Sequence, residues 1–182
     1  MEKSKRLENL ALKQIAGFMC VAARTAPKAK GADNILTLVI DNKQKKTKLV
    51  EKMLQIAKNK NMAGFKRDAK NINLAPVIVL IATKIKPAGL AFCGFCGYKD
   101  CSQLQAAKAI CAFNPIDLGI AAGSAVDVAS SFHVDNRIMY SLGKAALELD
   151  LFKDKSVKIA LGIPLSASGK NPFFDRVLNF AG

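Results

Sequence analysis

Residues 93–101 read CGFCGYKDC, and another thiol follows at Cys111. The pattern Cys93-x2-Cys96-x4-Cys101-x9-Cys111 packs thiols closely enough to staple a loop, grip zinc or carry an iron–sulfur cluster. Gly94 and Gly97 directly follow the first two cysteines, and glycine permits the positive φ angles that turn backbone N–H groups toward sulfur. Four thiolates suffice for a tetrahedral zinc or for the four irons of a cubane cluster. Structural zinc sites usually pair two C-x2-C knuckles; only the first half of this segment has that form, so the spacing favours iron–sulfur over zinc. The competing reading is a structural or regulatory module in which the same four cysteines hold zinc.

Geometry constrains the fourth ligand. Along one unbroken helix, ten residues at about 1.5 Å each would hold the α-carbons of Cys101 and Cys111 ~15 Å apart, too far for one centre. Either the helix after Cys101 covers only about residues 102–107 and the chain doubles back, or the fourth ligand is Cys20, another chain, or absent. Cys111 is the favoured ligand. Cys20, beside Met19 and Val21 on an apolar stretch, reads as a buried apolar residue. Charges at Glu2, Lys3, Lys5, Arg6, Glu8 and Lys13 interrupt any signal-peptide core, and no apolar run approaches the ~20 residues that cross a bilayer. The expectation is a cytoplasmic protein, where clustered cysteines favour metal or redox chemistry over disulfides.

Other chemistry-bearing residues carry less. The single His133 reads as a surface or capping residue, and Asp117, Asp135 and Asp175 form no paired-carboxylate pattern. Gly162 and Gly169-Lys170 do not have phosphate-loop spacing. Twenty-eight Lys and Arg against fourteen Asp and Glu give a formal charge of +14. These cations are scattered and lack interleaved aromatics, so they read as solvated surface and not as a nucleic-acid site.

The elements that must position the cysteines alternate along the chain. Apolar residues Leu7, Leu10, Ile15, Phe18, Met19 and Val21 recur at helical spacing from Lys5 to Ala23. ILTLVI (35–40) reads as a strand, Thr47–Met62 as a helix closed by Gly64, with FKRD (65–68) ending it, and PVIVLIA (76–82) as a strand buried on both faces. Helices are expected over Ile116–Ser131 and Asn136–Leu149, with VDNR (134–137) capping the latter, then a strand over Val157–Ile163 stopped by Pro164. Gly119 and Gly123 form a small-residue strip whose cost of about 1 kcal/mol each would be offset by close approach of another helix or of a flat ligand, and tight helix packing in the core is the favoured reading. These readings give a single α+β domain over 1–182, with about four mixed or antiparallel strands flanked by helices and a cysteine-rich segment, 89–114, inserted.

CGFCGYKDC resembles the CGxCGxxxC start of small four-iron, four-sulfur (4Fe-4S) domains of electron-transfer proteins. AARTAPKAKGADNI (22–35), FKRDAKN (65–71), CAFNPIDLGIAAGSAV (111–126), VDNRIMYSLGKAA (134–146) and GIPLSASGKNPFFDR (162–176) together resemble a family of uncharacterised ferredoxin-domain proteins. AARTAPKAKGADNILTLVI, DLGIAAGSAVDVA and VKIALGIP are also similar to loop, central helix and strand of flavin-dependent nitroreductases. The first resemblance implies an iron–sulfur cluster and an electron-transfer role with a redox partner protein or small electron acceptor. The second implies a nitroreductase-like fold, a homodimer with FMN at its interface, and Arg24, Lys28, Lys170 and Arg176 as flavin phosphate contacts.

Overall fold

A computed structural model describes residues 3–174. Its centre is a four-stranded antiparallel sheet, ordered β1 (Ile35–Ile40), β2 (Val77–Lys84), β4 (Val157–Ser166) and β3 (Asp135–Asn136). β2 is buried along nearly its whole length, as its unbroken β-branched run predicts. Strand side chains alternate between faces, so Val77, Val79 and Ile81 point to one side while Ile78 and Leu80 point to the other. Each side is covered by helices.

On the first face lie α1 (Ser4–Thr25) and α5 (Phe113–Ser131). α1 packs through Leu12, Ile15, Ala16, Met19 and Ala23 against Leu118, Ala121, Ala122, Ala125 and Ala129. The helix falls where its spacing predicts, but Leu7, Leu10, Phe18 and Val21, expected on one face with Ile15 and Met19, are exposed while those two are buried. Alanines fill the true inner face, and helical periodicity cannot rank a small inward residue above a large outward one. Gly119 and Gly123 likewise lie on the exposed side of α5, where a Cβ would meet nothing within 4 Å, so the expected core packing does not occur in this chain.

α2 (Lys43–Lys60), α3 (Ala63–Asn73) and α6 (Tyr140–Glu148) cover the second face. α2 begins earlier than expected because the Asn42 side chain accepts a hydrogen bond from Lys45 N–H at 3.1 Å, and it ends on Asn61 in the left-handed region. FKRD and Gly64 belong to the separate helix α3. There Asp68 is buried, accepting from the Ser141 hydroxyl at 2.5 Å and from Arg67 Nε at 2.9 Å, which locks α3 to α6. Asp135 and Asn136 pair with β4 and do not cap α6, whose N-cap is Met139 without a side-chain bond.

β4 also runs through Pro164 to Ser166. Gly162 and Met139 exchange both backbone bonds, at 2.8 and 3.0 Å, so two residues on, Pro164 also faces the β3 side. The pairing with β3 is interrupted there, between Asn136↔Leu165 and Met139↔Gly162, so the missing N–H falls at a gap in the ladder. His133 is exposed just past α5 with φ 57°, and its N–H bonds Ser130 O, in keeping with a surface turn residue. Among the described residues no helix is long and apolar enough to cross a membrane.

Candidate metal centre

β2 leaves the sheet at Lys84, and the Ile85 N–H bonds Ser156 O at 2.8 Å. Asn114, buried in the first turn of α5, then grips the next residue from both sides: its Oδ1 accepts from Lys86 N–H at 3.2 Å and its Nδ2 donates to Lys86 O at 2.9 Å. One turn on, the Asp117 carboxylate accepts from Ala29 N–H at 3.2 and 3.3 Å, and Lys30 Nζ reaches Gly89 O at 3.2 Å. The start of α5 thus anchors both the 27–33 loop and the base of the cysteine segment. Asn114→Ala is expected to cost about 2 kcal/mol, because both Lys86 backbone groups lose a buried partner. Urea denaturation of the variant beside the wild type measures it.

Beyond Gly89 the chain turns repeatedly. Gly89, Gly94 and Gly97 hold φ of 66°, 61° and 80°, and the Gly97 N–H bonds Gly94 O at 2.9 Å, so the chain tucks back beneath Cys96. Positive φ at Gly94 and Gly97 matches the reading from sequence. α4 (Cys101–Ala106) follows, with Asp100 accepting from Gln103 N–H at 2.9 Å and Gln103 Oε1 accepting from Lys99 N–H at 3.2 Å. This reciprocal arrangement resembles a capping box. α4 stops after six residues; Lys108 takes φ 52° and Ala109 N–H bonds back to Leu104 O at 3.1 Å. The chain therefore doubles back, removing the distance that an unbroken helix would have imposed.

As a result Cys93, Cys96, Cys101 and Cys111 line one cavity of about 90 Å³, together with Leu90 and Phe113. That exceeds several-fold the roughly 10–15 Å³ that admits a single water. Cys111 is buried and the other three are half-buried; none is in a disulfide. Cys20 lies elsewhere, half-buried on α1, with its thiol pKa raised by burial against the opposing influence of Thr37 and Arg24. Larger hollows among the described residues, of about 410, 650, 470 and 260 Å³, are open grooves lined by no cysteine.

Among the described residues, no three His, Cys, Asp or Glu side chains are gathered closely enough to hold a metal ion. A tetrahedral zinc with Zn–S bonds of about 2.3 Å would need its thiolates within about 4 Å of one another. The zinc reading finds no support in this geometry. Cluster ligands bind separate irons and stand farther apart, so four soft donors spread around one cavity fit a polynuclear iron–sulfur centre by number and chemistry.

The expected flavin contacts are differently engaged. Arg24 Nη1 bonds the Asp33 carboxylate and donates to Ile35 O at 2.7 Å. Lys28 is buried, its Nζ donating to Ala23, Arg24 and Ala26 carbonyls at 3.1, 2.7 and 2.7 Å, which closes the end of α1. Lys170 follows β4 at the opposite end of the sheet, where Ser168 Oγ donates to its carbonyl at 2.7 Å and approaches Asp135 at 3.2 Å. The length of β2, roughly 20 Å, separates the two regions. One chain therefore does not gather Arg24, Lys28 and Lys170 around one anion; Asp175 and Arg176 lie outside the described residues.

Burial works to raise the Asp33 pKa, but the bond from Arg24, the Ile35 N–H and the charges of Arg24 and Lys28 outweigh it and leave it below the ordinary value. A depressed folded pKa means that the unfolded chain takes up the proton more readily. The stabilisation is thus present above the ordinary carboxylate pKa and is lost as pH falls through the depressed one. Asp33→Asn is expected to be less stable than wild type at neutral pH, with the difference vanishing in acid. Denaturation midpoints of both proteins over a pH series check this.

Asn114, Asp117 and Lys30 were not legible as site-building residues from sequence. The only cue was their place in the NPID and KAKG stretches flanking the site.

An uncharacterized protein from Archaeoglobus fulgidus is 38% identical over 180 residues, covering 94% of this chain and 95% of that protein. The structure is similar to a nitroreductase with bound FMN from Desulfitobacterium hafniense, at TM-score 0.59 and 15% identity, covering 93% of this chain and 80% of that one. It is also similar to a hypothetical oxidoreductase from Bacillus subtilis, at TM-score 0.59 and 18% identity over 87% of this chain, though it spans only 59% of that protein's length. These likenesses give the nitroreductase fold. Residues 107–176, which include Cys111 and the α5 anchors, match the family model described as "uncharacterized protein containing a ferredoxin domain". With a relative of that identity along almost its whole length, the chain belongs to this family of uncharacterised ferredoxin-domain proteins.

Proposed function

We propose that this protein is an iron–sulfur redox protein in which Cys93, Cys96, Cys101 and Cys111 hold a 4Fe-4S cluster. The observation that carries the reading is the convergence of these four thiols on one cavity, from a loop, a short helix and the start of α5. The family description supports it. When bound, such a cluster supplies one-electron chemistry with a potential set by charge, hydrogen bonding and exposure. The chain's part is to hold the thiols, with Asn114 and Lys30 fixing the base of the loop and Phe113 and Leu90 limiting water.

The protein is read as a cytoplasmic electron carrier. A homodimer is part of the reading, supported by the exposed Leu7, Leu10, Phe18 and Val21 of α1 and Ile116 and Ile120 of α5. FMN has less support, because the donors of Arg24 and Lys28 are engaged within the chain. One anaerobic preparation tests these parts: iron and sulfide content, flavin content, and sedimentation. Iron and sulfide in equal, near-stoichiometric amounts are expected, and stoichiometric zinc or no metal after anaerobic reconstitution would overturn the reading.

A further inference from the structure

We propose that the lobe enclosing the cysteine cavity is a docking surface for a small acidic one-electron carrier protein. This rests on the iron–sulfur reading above and names its partner. Phe92 stands wholly in solvent, with φ of 52°, a backbone conformation that a bulky residue rarely adopts without a constraint holding it. Phe95 is 71% exposed and stacks at 5.7 Å on Phe113, a residue of the cavity wall. An aromatic surface therefore lies one ring away from the cavity where the electron would reside. Exposed aromatics of this kind bury efficiently against a partner.

Charge selects the occupant. Between Ile85 and Cys111 the chain carries Lys86, Lys99 and Lys108 against Asp100 alone. All three lysines are exposed and none is paired with a carboxylate among the described residues. Asp100 is engaged in capping α4. A second copy docking here through a two-fold contact would set these lysines against their own counterparts. An acidic partner instead gains steering and register from them. Nucleic acid is disfavoured because the cations on the lobe are few and do not track a groove.

The test titrates full-length, anaerobically purified protein calorimetrically with a small acidic plant-type ferredoxin, at about 10 mM and about 0.5 M ionic strength. Binding is expected at low salt and loss at high salt. The triple variant Lys86→Glu, Lys99→Glu, Lys108→Glu is expected to bind at least about tenfold more weakly. A matched reversal on α2 and α3, Lys48→Glu, Lys58→Glu, Lys66→Glu, is expected to change affinity less than about twofold, which separates local charge from net charge. Phe92→Ser with Phe95→Ser is expected to weaken binding while leaving its salt dependence in place.

Equal affinity of wild type and the Lys86, Lys99, Lys108 variant would overturn the proposal. So would absence of low-salt binding, tighter binding of a single-stranded oligonucleotide, or self-association abolished by the same reversals. Iron and sulfide assays on the same samples keep the two readings apart. Salt-sensitive binding by iron-free protein would sink the cluster and keep the surface; iron-loaded protein without such binding would do the reverse.

Discussion

Serine at any one of Cys93, Cys96, Cys101 or Cys111 is expected to strip most of the bound iron and sulfide, while serine at Cys20 leaves both in place. The four differ from Cys20 in position and not in residue type. They line one cavity, whereas Cys20 packs on α1 against the sheet with its thiol kept protonated by burial. A hydroxyl is a harder and far weaker iron donor than a thiolate. Changes to outer-shell residues alone cost metal sites about 10- to 100-fold, and loss of a ligand should exceed the lower end of that range. Cys111 is expected to be the most sensitive, since it is buried and held at the start of α5. Metal and sulfide assays with the visible spectrum, on parallel anaerobic preparations, decide. Wild-type iron in Cys111→Ser would move the fourth ligand elsewhere, and wild-type iron in all four variants would end the cluster reading.

Spacing made the thiols legible, while their convergence depended on a turn that spacing could not supply. The sequence left open whether the chain reverses between Cys101 and Cys111; the reversal depends on Lys108 entering the left-handed region, which its residue type does not announce. The strands were readable because β2 is buried on both faces and needs a continuous β-branched run. Pro164 misled because a proline's effect depends on which neighbour its missing N–H would have faced, a property of the assembled sheet. For the expected flavin contacts residue type is only part of the matter: Arg24 and Lys28 have the right chemistry for phosphate, and within one chain Asp33 and the carbonyls of α1 engage them. Asn114 and Asp117 act on backbone groups 28 and 88 residues away, and no local pattern records such partners.

Glycine gives the sharpest contrast between pattern and packing, and the largest expected effect on stability. Gly119 and Gly123 drew attention by their spacing, but the close approach is at Gly143 of α6. A Cβ there would lie 1.9 Å from Ala160 O, 2.3 Å from Ala160 C and 2.7 Å from Leu161 N. Those atoms belong to the backbone of β4, so no rotamer change relieves the contact; the helix must lift off the sheet. Overpacking commonly costs about 1–3 kcal/mol, and Gly143→Ala is expected at or above the top of that range, or not to fold. Gly162→Ala is the companion test. Its Cβ would meet Leu142 Cγ at 2.3 Å and Cδ2 at 2.5 Å, which are side-chain atoms. Leu142→Ala costs about 2–5 kcal/mol by itself, and in its background Gly162→Ala should cost less than in the wild type without becoming neutral, because residue 142 keeps its Cβ, 2.8 Å from the new one. No side-chain truncation should rescue Gly143→Ala. At Gly119 and Gly123, where a Cβ meets nothing within 4 Å, alanine should instead stabilise by up to about 1 kcal/mol each. Urea denaturation of these variants tests the series; a wild-type midpoint for Gly143→Ala would contradict the contact between α6 and β4, and a loss at Gly119 or Gly123 would mean that a second copy closes on α5.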